Sequence, residues 1–317
     1  MIMRMPLSAS SEESSVQQQN LTVVSGHGSL RGVLSQPGIS CDKPLQAKLA
    51  LEFAHIDGAS RLVAQDHFGP LLVQKPLYPE GREVCHAVII HPPGGVVGGD
   101  QLEISAHAGA AAKVQITTPG AAKWYKANGH TSHQKITLSA GQGAALEWVP
   151  QETIFFNNTN VSIDHQVTLE GDAAYVGCEI LCFGRTASGE TFNSGQVKQR
   201  TSIRRNGTMI WLEQIRLQGE SGAMHGPLAL SGKPVCATLL ATGKPVPQAL
   251  IDVAREESAA IAGDSGQVGI SQLKSITVVR YLGHSSEVAR HIMLRAWGLF
   301  RPEMLGRPAM VPRMWNT

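Results

Sequence analysis

The segment Val161-Ser-Ile-Asp-His-Gln-Val-Thr-Leu169 separates cleanly into two faces, with Val, Ile, His, Val and Leu at odd positions and Ser, Asp, Gln and Thr at even ones. Successive side chains of a pleated strand point to opposite faces, so one side of this segment must be buried against another layer. Comparable patterns predict strands near 47–54, 61–67, 84–91, 101–107, 113–118, 134–139, 144–149, 153–157, 174–183, 197–204, 208–217, 235–242 and 273–282. Glycine-bearing turns separate them, among them Gly109, Gly120, Gly129, Gly141, Gly171, Gly189 and Gly207. Many short strands with little helical period predict a mainly β chain, built as stacked sheets or a β-helix-like arrangement. No solenoid repeat of fixed period is evident.

Two α-helices are expected, both late. Pro247 to Ala262 places proline in a first turn, Leu250, Val253, Ala254 and Ile261 on one side, and Gly263 as a stop. Ser285 or Ser286 can cap a second helix carrying Val288, Ile292, Ala296 and Phe300, which Pro302 is expected to end. The tail beyond Pro302 is expected to be mobile or ordered by a partner. Residues 1–20, rich in Ser, Glu and Gln, read as a disordered tail. Residues 21–243 read as a β-rich domain. Residues 244–317 read as a helical appendage with one returning strand and a C-terminal tail.

Composition excludes several classes of function. At 317 residues the chain can bury a substantial core. A formal net charge of +2 argues against nucleic acid as the main partner. No apolar run approaches the roughly 20 residues that span a bilayer. Five cysteines, Cys41, Cys85, Cys178, Cys182 and Cys236, are odd in number and unpatterned, which fits a reducing compartment and a cytoplasmic location.

The loop His91-Pro-Pro-Gly-Gly-Val-Val-Gly-Gly-Asp100 combines fixed and permissive backbone positions and ends in a carboxylate. Glycine-rich loops cradle phosphates when a helix N-terminus follows them, but here the alternating Gln101 to His107 follows. The loop therefore reads as a strand-to-strand connection.

Acids on apolar strand faces are the sharpest chemical signal. Glu213 lies on a face with Met209, Trp211, Ile215 and Leu217. Glu179 shares a face with Tyr175, Leu181 and Phe183, while Val176, Cys178, Ile180 and Cys182 make the opposite face apolar too. Glu147 sits between Ala145 and Val149. A buried carboxylate finds a partner, takes a proton or borders water. Two readings follow: carboxylates clamped by arginine or backbone amides, or a hydrated internal path lined by acids. Of the twelve histidines, His130 and His133 could share an ion but lack an adjacent third donor. His86 and His91 flank a strand on opposite faces, and Cys178 and Cys182 stand too far apart along theirs for joint ligation. Ser188 lacks a nucleophile elbow, so no catalytic triad is expected. Lys198, Arg200 and Arg204 share one strand face and read as a solvated stripe.

The glycine loop does not stand alone. With Thr117-Thr-Pro-Gly-Ala-Ala-Lys-Trp-Tyr-Lys126, Glu147-Trp-Val-Pro-Gln-Glu-Thr-Ile-Phe-Phe156, Phe183-Gly-Arg-Thr-Ala-Ser-Gly-Glu190, Arg301-Pro-Glu-Met-Leu-Gly-Arg-Pro308 and Pro312-Arg-Met-Trp315, it resembles the UreD (UreH) family of urease accessory proteins. The resemblance runs from about Lys48 to the C-terminus, in matching order and spacing. It implies a non-catalytic scaffold that binds apo-urease, recruits UreF and the GTPase UreG, and helps nickel reach the urease active site. It implies no tightly bound cofactor, only a nickel ion in transit through an internal passage. Asp100, Glu147, Glu179 and Glu213 are the candidate acids of that passage. Lys123, Trp124, Tyr125, Arg185, Trp297, Arg301, Arg313 and Trp315 are the candidate partner contacts, since aromatics and arginine are enriched at interfaces. The competing readings are a polysaccharide-active enzyme on a β-helix or β-sandwich, and a β-rich interaction module without metal traffic.

Overall fold

In the computed structural model, which describes residues 44–316, strands alternate between two facing sheets for most of the chain. The strands are β1 (Gln46–Ile56), β2 (Ala59–Phe68), β3 (Leu72–Val73), β4 (Val84–Ile90), β5 (Gln101–Ala108) and β6 (Lys113–Thr117). They continue with β7 (Ala122–Trp124), β8 (Ser132–Ala140), β9 (Ala145–Trp148), β10 (Thr153–Phe155), β11 (Thr159–Leu169) and β12 (Ala174–Phe183). Then follow β13 (Gly195–Arg205), β14 (Thr208–Gln218), β15 (Val235–Thr242), β16 (Gly266–Leu273) and β17 (Ile276–Gly283). Three α-helices complete the fold: α1 (Gly222–His225), α2 (Gln248–Ala262) and α3 (Ser286–Leu305). The expected tail at 1–20 and Cys41 lie outside the described residues.

The centre is a coil. Strands β5, β8, β11 and β13 stack in parallel in the first sheet, whose order is β14-β13-β11-β8-β5-β1-β2. Strands β4, β6, β9 and β12 stack in parallel in the second, whose main order is β16-β17-β15-β12-β9-β6-β4-β3. Antiparallel strands close the first sheet at both edges and extend the second through β15, β17 and β16. The expected β-helix-like, mainly β architecture is therefore what the chain forms.

Stacked turns hold the coil in register. Gly109 N–H donates to the Phe53 carbonyl at 2.8 Å, Gly141 N–H to Ala108 at 2.8 Å, Glu170 N–H to Ala140 at 2.9 Å and Asn206 N–H to Leu169 at 2.9 Å. A Cβ on Gly141 would lie 3.0 Å from the Ala110 nitrogen, so glycine there permits the close stacking of one turn on the next. The turns recur at unequal separations along the chain, which is why no fixed period is visible in the sequence.

Two cores follow from the two faces of the second sheet. Leu146, Tyr175, Leu181 and Phe183 face the first sheet, against Leu49, Ile104, Leu138 and Val197. Val176, Ile180, Leu239 and Val279 face the helices, against Ile251, Ala254, Ile292 and Trp297.

Three local expectations are corrected. The strand predicted at 273–282 is β17, but it does not stand singly: a further strand, β16, precedes it in a hairpin that turns where Lys274 takes a left-handed φ of 41°. Gly266 and Gly269 dilute the β pattern of β16 and hid it. Pro302 does not end α3. The helix runs to Leu305 and stops at Gly306, whose φ of 68° provides the left-handed cap. The residues beyond it pack against the body: Ala309 and Trp315 join the helix-side core.

Candidate functional site

Two polar rows face each other across the gap between the sheets. On the first sheet, His165, Thr201 and Glu213 are direct neighbours on β11, β13 and β14. On the second, Glu179, Thr238 and Arg280 are direct neighbours on β12, β15 and β17. The rows are complementary. The Glu179 carboxylate lies 3.2 Å from His165 Nδ1, and the Glu213 carboxylate 2.6 Å from an Arg280 nitrogen. Gln199 donates to Glu179 at 2.5 Å, and the Tyr175 hydroxyl lies 3.4 Å from His165 Nε2. This end of the inter-sheet space is thus polar where the rest is filled by aliphatic and aromatic side chains.

Burial sharpens the contrast. The His165 side chain is 2 % exposed, while Glu179 and Glu213 keep 23 % and 19 %. The carboxylates border a route to solvent; the imidazole does not. A cavity of about 10 Å³ lies between the rows, close to the space one water needs. Glu213 lines both this cavity and a cleft of about 590 Å³, walled by Phe183, Ile215, Leu217, Val268 and Leu282. Burial raises the Tyr175 hydroxyl pKa well above its ordinary value, with the Glu179 charge adding to it, so Tyr175 offers a proton and keeps it.

The other two candidate acids lie elsewhere. Glu147 is 2 % exposed and faces the helices, where Trp297 Nε1 donates to it at 2.7 Å and Arg301 donates to both oxygens at 2.8–3.0 Å. Arg301 also donates to both Glu80 oxygens, at 2.7 and 2.8 Å, and to the Pro308 carbonyl. His86 completes the cluster at 2.7 Å from Glu80. Burial alone would raise the Glu80 pKa, but hydrogen bonds and charge from His86 and Arg301 hold it at about 2. Asp100 accepts from the backbone N–H groups of Leu45 at 3.0 Å and Val97 at 2.9 Å, closing the glycine loop on the start of β1. That loop is a corner between β4 and β5, and its Gly95 lies so close to Tyr125 that a Cβ would meet the ring at 2.2 Å. Glu147 and Asp100 therefore have the clamped arrangement, one by arginine and one by backbone amides, and Glu213 too is paired with an arginine, Arg280. Glu179 and Glu213 share the polar gap.

The expected partner contacts divide in the same way. Trp124, Trp297 and Arg301 are 1–2 % exposed, which removes them from any docking surface. The strand alternation that exposes Lys123 turns Trp124 inward. Trp315 is half-buried, donating to Thr117 at 3.0 Å with Arg290 over its ring, whereas Arg313 is exposed. Lys123, Tyr125 and Arg185 remain accessible. Arg185 stacks 4.3 Å over Phe156 and donates to Glu190 at 2.7 Å, while Tyr125 meets Phe156 edge-on. Cys178 and Cys182 are core thiols that burial pushes up to about 12.

Sequence reasoning passed over His165, Gln199 and Glu80, and weighed His86 only as a metal ligand beside His91. His165 stood in plain view among the inward positions of β11, and a histidine inside an apolar row was the available signal. Among the described residues, no three His, Cys, Asp or Glu side chains converge closely enough to hold a metal ion. No helix among them is long and apolar enough to cross a membrane.

Residues 45–316 match the family described as UreD urease accessory protein. The chain is 60 % identical over 279 residues to the urease accessory protein UreD of Nitrosospira multiformis, covering 88 % of this chain and 100 % of that protein. It is 56 % identical to the namesake from a Janthinobacterium species, covering 89 % and 95 %. It is 44 % identical to that of Methylobacillus flagellatus, covering 87 % and 96 %.

Proposed function

The chain belongs to the UreD family of urease accessory proteins, and from that premise we propose that it is a non-catalytic cytoplasmic scaffold for urease maturation. It holds apo-urease together with UreF and, through UreF, UreG, while nickel passes to the urease active site. Nickel is cargo here, and no tightly bound cofactor is required. Family membership leaves the polysaccharide-enzyme alternative without support.

The observation that carries the nickel reading is the polar gap. Glu213 stands at the floor of the cleft, and Glu179 and His165 stand behind it. Carboxylate and imidazole are both donors for nickel. Each carboxylate is shared with a neighbour, Arg280 or Gln199 and His165, so an ion competes for it and is released. Weak, singly placed donors favour passage over retention.

The test is activation of urease co-expressed with UreF, UreG and this chain. Glu179→Gln and Glu213→Gln should each lower urease nickel content and activity on the order of tenfold, as loss of a metal-tuning contact does, with copurification of the subunits retained. Full activation by both variants would remove the polar gap from the route. Loss of copurification would make the two acids structural instead.

A further inference from the structure

The outer, solvent-facing side of the first sheet manages its charges by alternation, with one departure. Lys48, Glu103, Lys135, Asp164 and Arg200 follow one another across β1, β5, β8, β11 and β13. The signs alternate along that row, with contacts of 3.2 Å from Lys48 to Glu103, 3.9 Å from Lys135 to Glu103 and 3.4 Å from Arg200 to Asp164. The adjoining row ends differently. Lys198 on β13 and Arg216 on β14 stand directly opposite each other on antiparallel strands. Both are exposed, and neither forms an ion pair among the described residues.

Like charges directly opposite each other destabilise a strand pair. Here that repulsion is retained beside a row in which every charge is matched. With Arg200, its partner Asp164 and Gln214, the pair lines a recess of about 350 Å³ on this face. Among the described residues, strand β14 is also the last strand of the sheet, so its outer edge has no neighbouring strand there and its backbone groups extend the surface.

We propose that the outer face of β13 and β14 is a docking surface for an acidic, extended segment of a partner protein. Carboxylates of the segment lie beside Arg216 on the outer face, drawing its guanidinium away from Lys198 and turning a repulsive pair into charge-assisted contacts. The segment's backbone continues the ladder along β14, as strand addition at a free edge does. A nucleic-acid backbone fits poorly, because only a peptide backbone can continue the hydrogen-bonded ladder at the β14 edge. This assignment rests on the charge pattern and the edge, not on the maturation role.

Labelled octaglutamate titrated onto the full chain at low concentration, followed by fluorescence anisotropy, tests the proposal. Saturable binding that weakens with added salt is expected. The double variant Lys198→Gln/Arg216→Gln should bind about tenfold more weakly, the loss of one or two charge-assisted contacts, and should melt no lower than wild type because a repulsion has gone. Undiminished binding by the double variant would overturn the proposal, as would absence of binding or stronger binding of a single-stranded oligonucleotide of equal charge. A variant that melts several degrees lower would show the two cations to be structural, which also overturns it.

Discussion

At the scale of single residues, Arg301 is the most heavily committed side chain in the molecule. It is 1 % exposed and donates to two carboxylates from distant parts of the chain, Glu80 and Glu147, and to the nearby Pro308 carbonyl. Removing one partner from a buried charge cluster leaves the other uncompensated. Glu147→Ala should therefore lower stability by about 3 kcal/mol or more, measured by chemical denaturation. Glu80 gives the same cluster a pH dependence. Its folded value of about 2 lies below the ordinary 4.5, so its contribution is complete above pH 4.5 and is lost as pH falls towards 2. Glu80→Gln should melt lower than wild type at pH 7, and its melting temperature should fall less steeply between pH 4.5 and 2. Sequence reasoning identified Glu147, Glu179 and Glu213 as enclosed acids from strand alternation. It could not assign their partners, because Arg301 and Arg280 reach them from strands and helices distant along the chain.

At the scale of elements, local signals that rest on neighbouring residues were reliable. The Ser285 hydroxyl accepts from Val288 N–H at 3.2 Å, as a helix N-cap should. Ser285→Ala should lower stability by about 1 kcal/mol, read as a small drop in melting temperature with the mainly β circular dichroism spectrum unchanged. The end of the same helix was misjudged. Proline disfavours a helix interior, yet Phe300, Arg301 and Met304 are all buried around Pro302, and that packing carries the helix one further turn. Strand β16 was missed for the opposite reason: glycines weaken its intrinsic signal, and pairing with β17 supplies what propensity does not.

At the scale of the whole molecule, the coil has an unequal pair of ends. The first sheet finishes at β14, whose inward residues Trp211, Glu213 and Ile215 are only partly covered. The cleft there carries the fully exposed Leu228, and Leu212 is 52 % exposed on the outer face of β14. Terminal repeats of a solenoid require a polar cap for solubility, and contiguous apolar surface left open promotes association. The chain alone should aggregate as its concentration rises, and a UreF-like partner should suppress this; size-exclusion chromatography with light scattering distinguishes the outcomes. A monomer that stays dispersed at high concentration would show that this end needs no cover.

The amino-acid order alone determined most of the strands, the two long helices, the mainly β class and the inward-facing positions of Glu147, Glu179 and Glu213, because alternation and capping are properties of adjacent residues. Only the tertiary structure decided which partners each of those acids meets. Parallel pairing of β11 with β13 sets His165 beside Thr201, antiparallel pairing of β13 with β14 sets Thr201 beside Glu213, and the packing of the sheets brings that row onto Glu179 and Arg280. The same stacking turned Trp124, Trp297 and Arg301 from surface candidates into core. A side chain's partner is set by the register of strands far apart in the chain, and no local pattern carries that information.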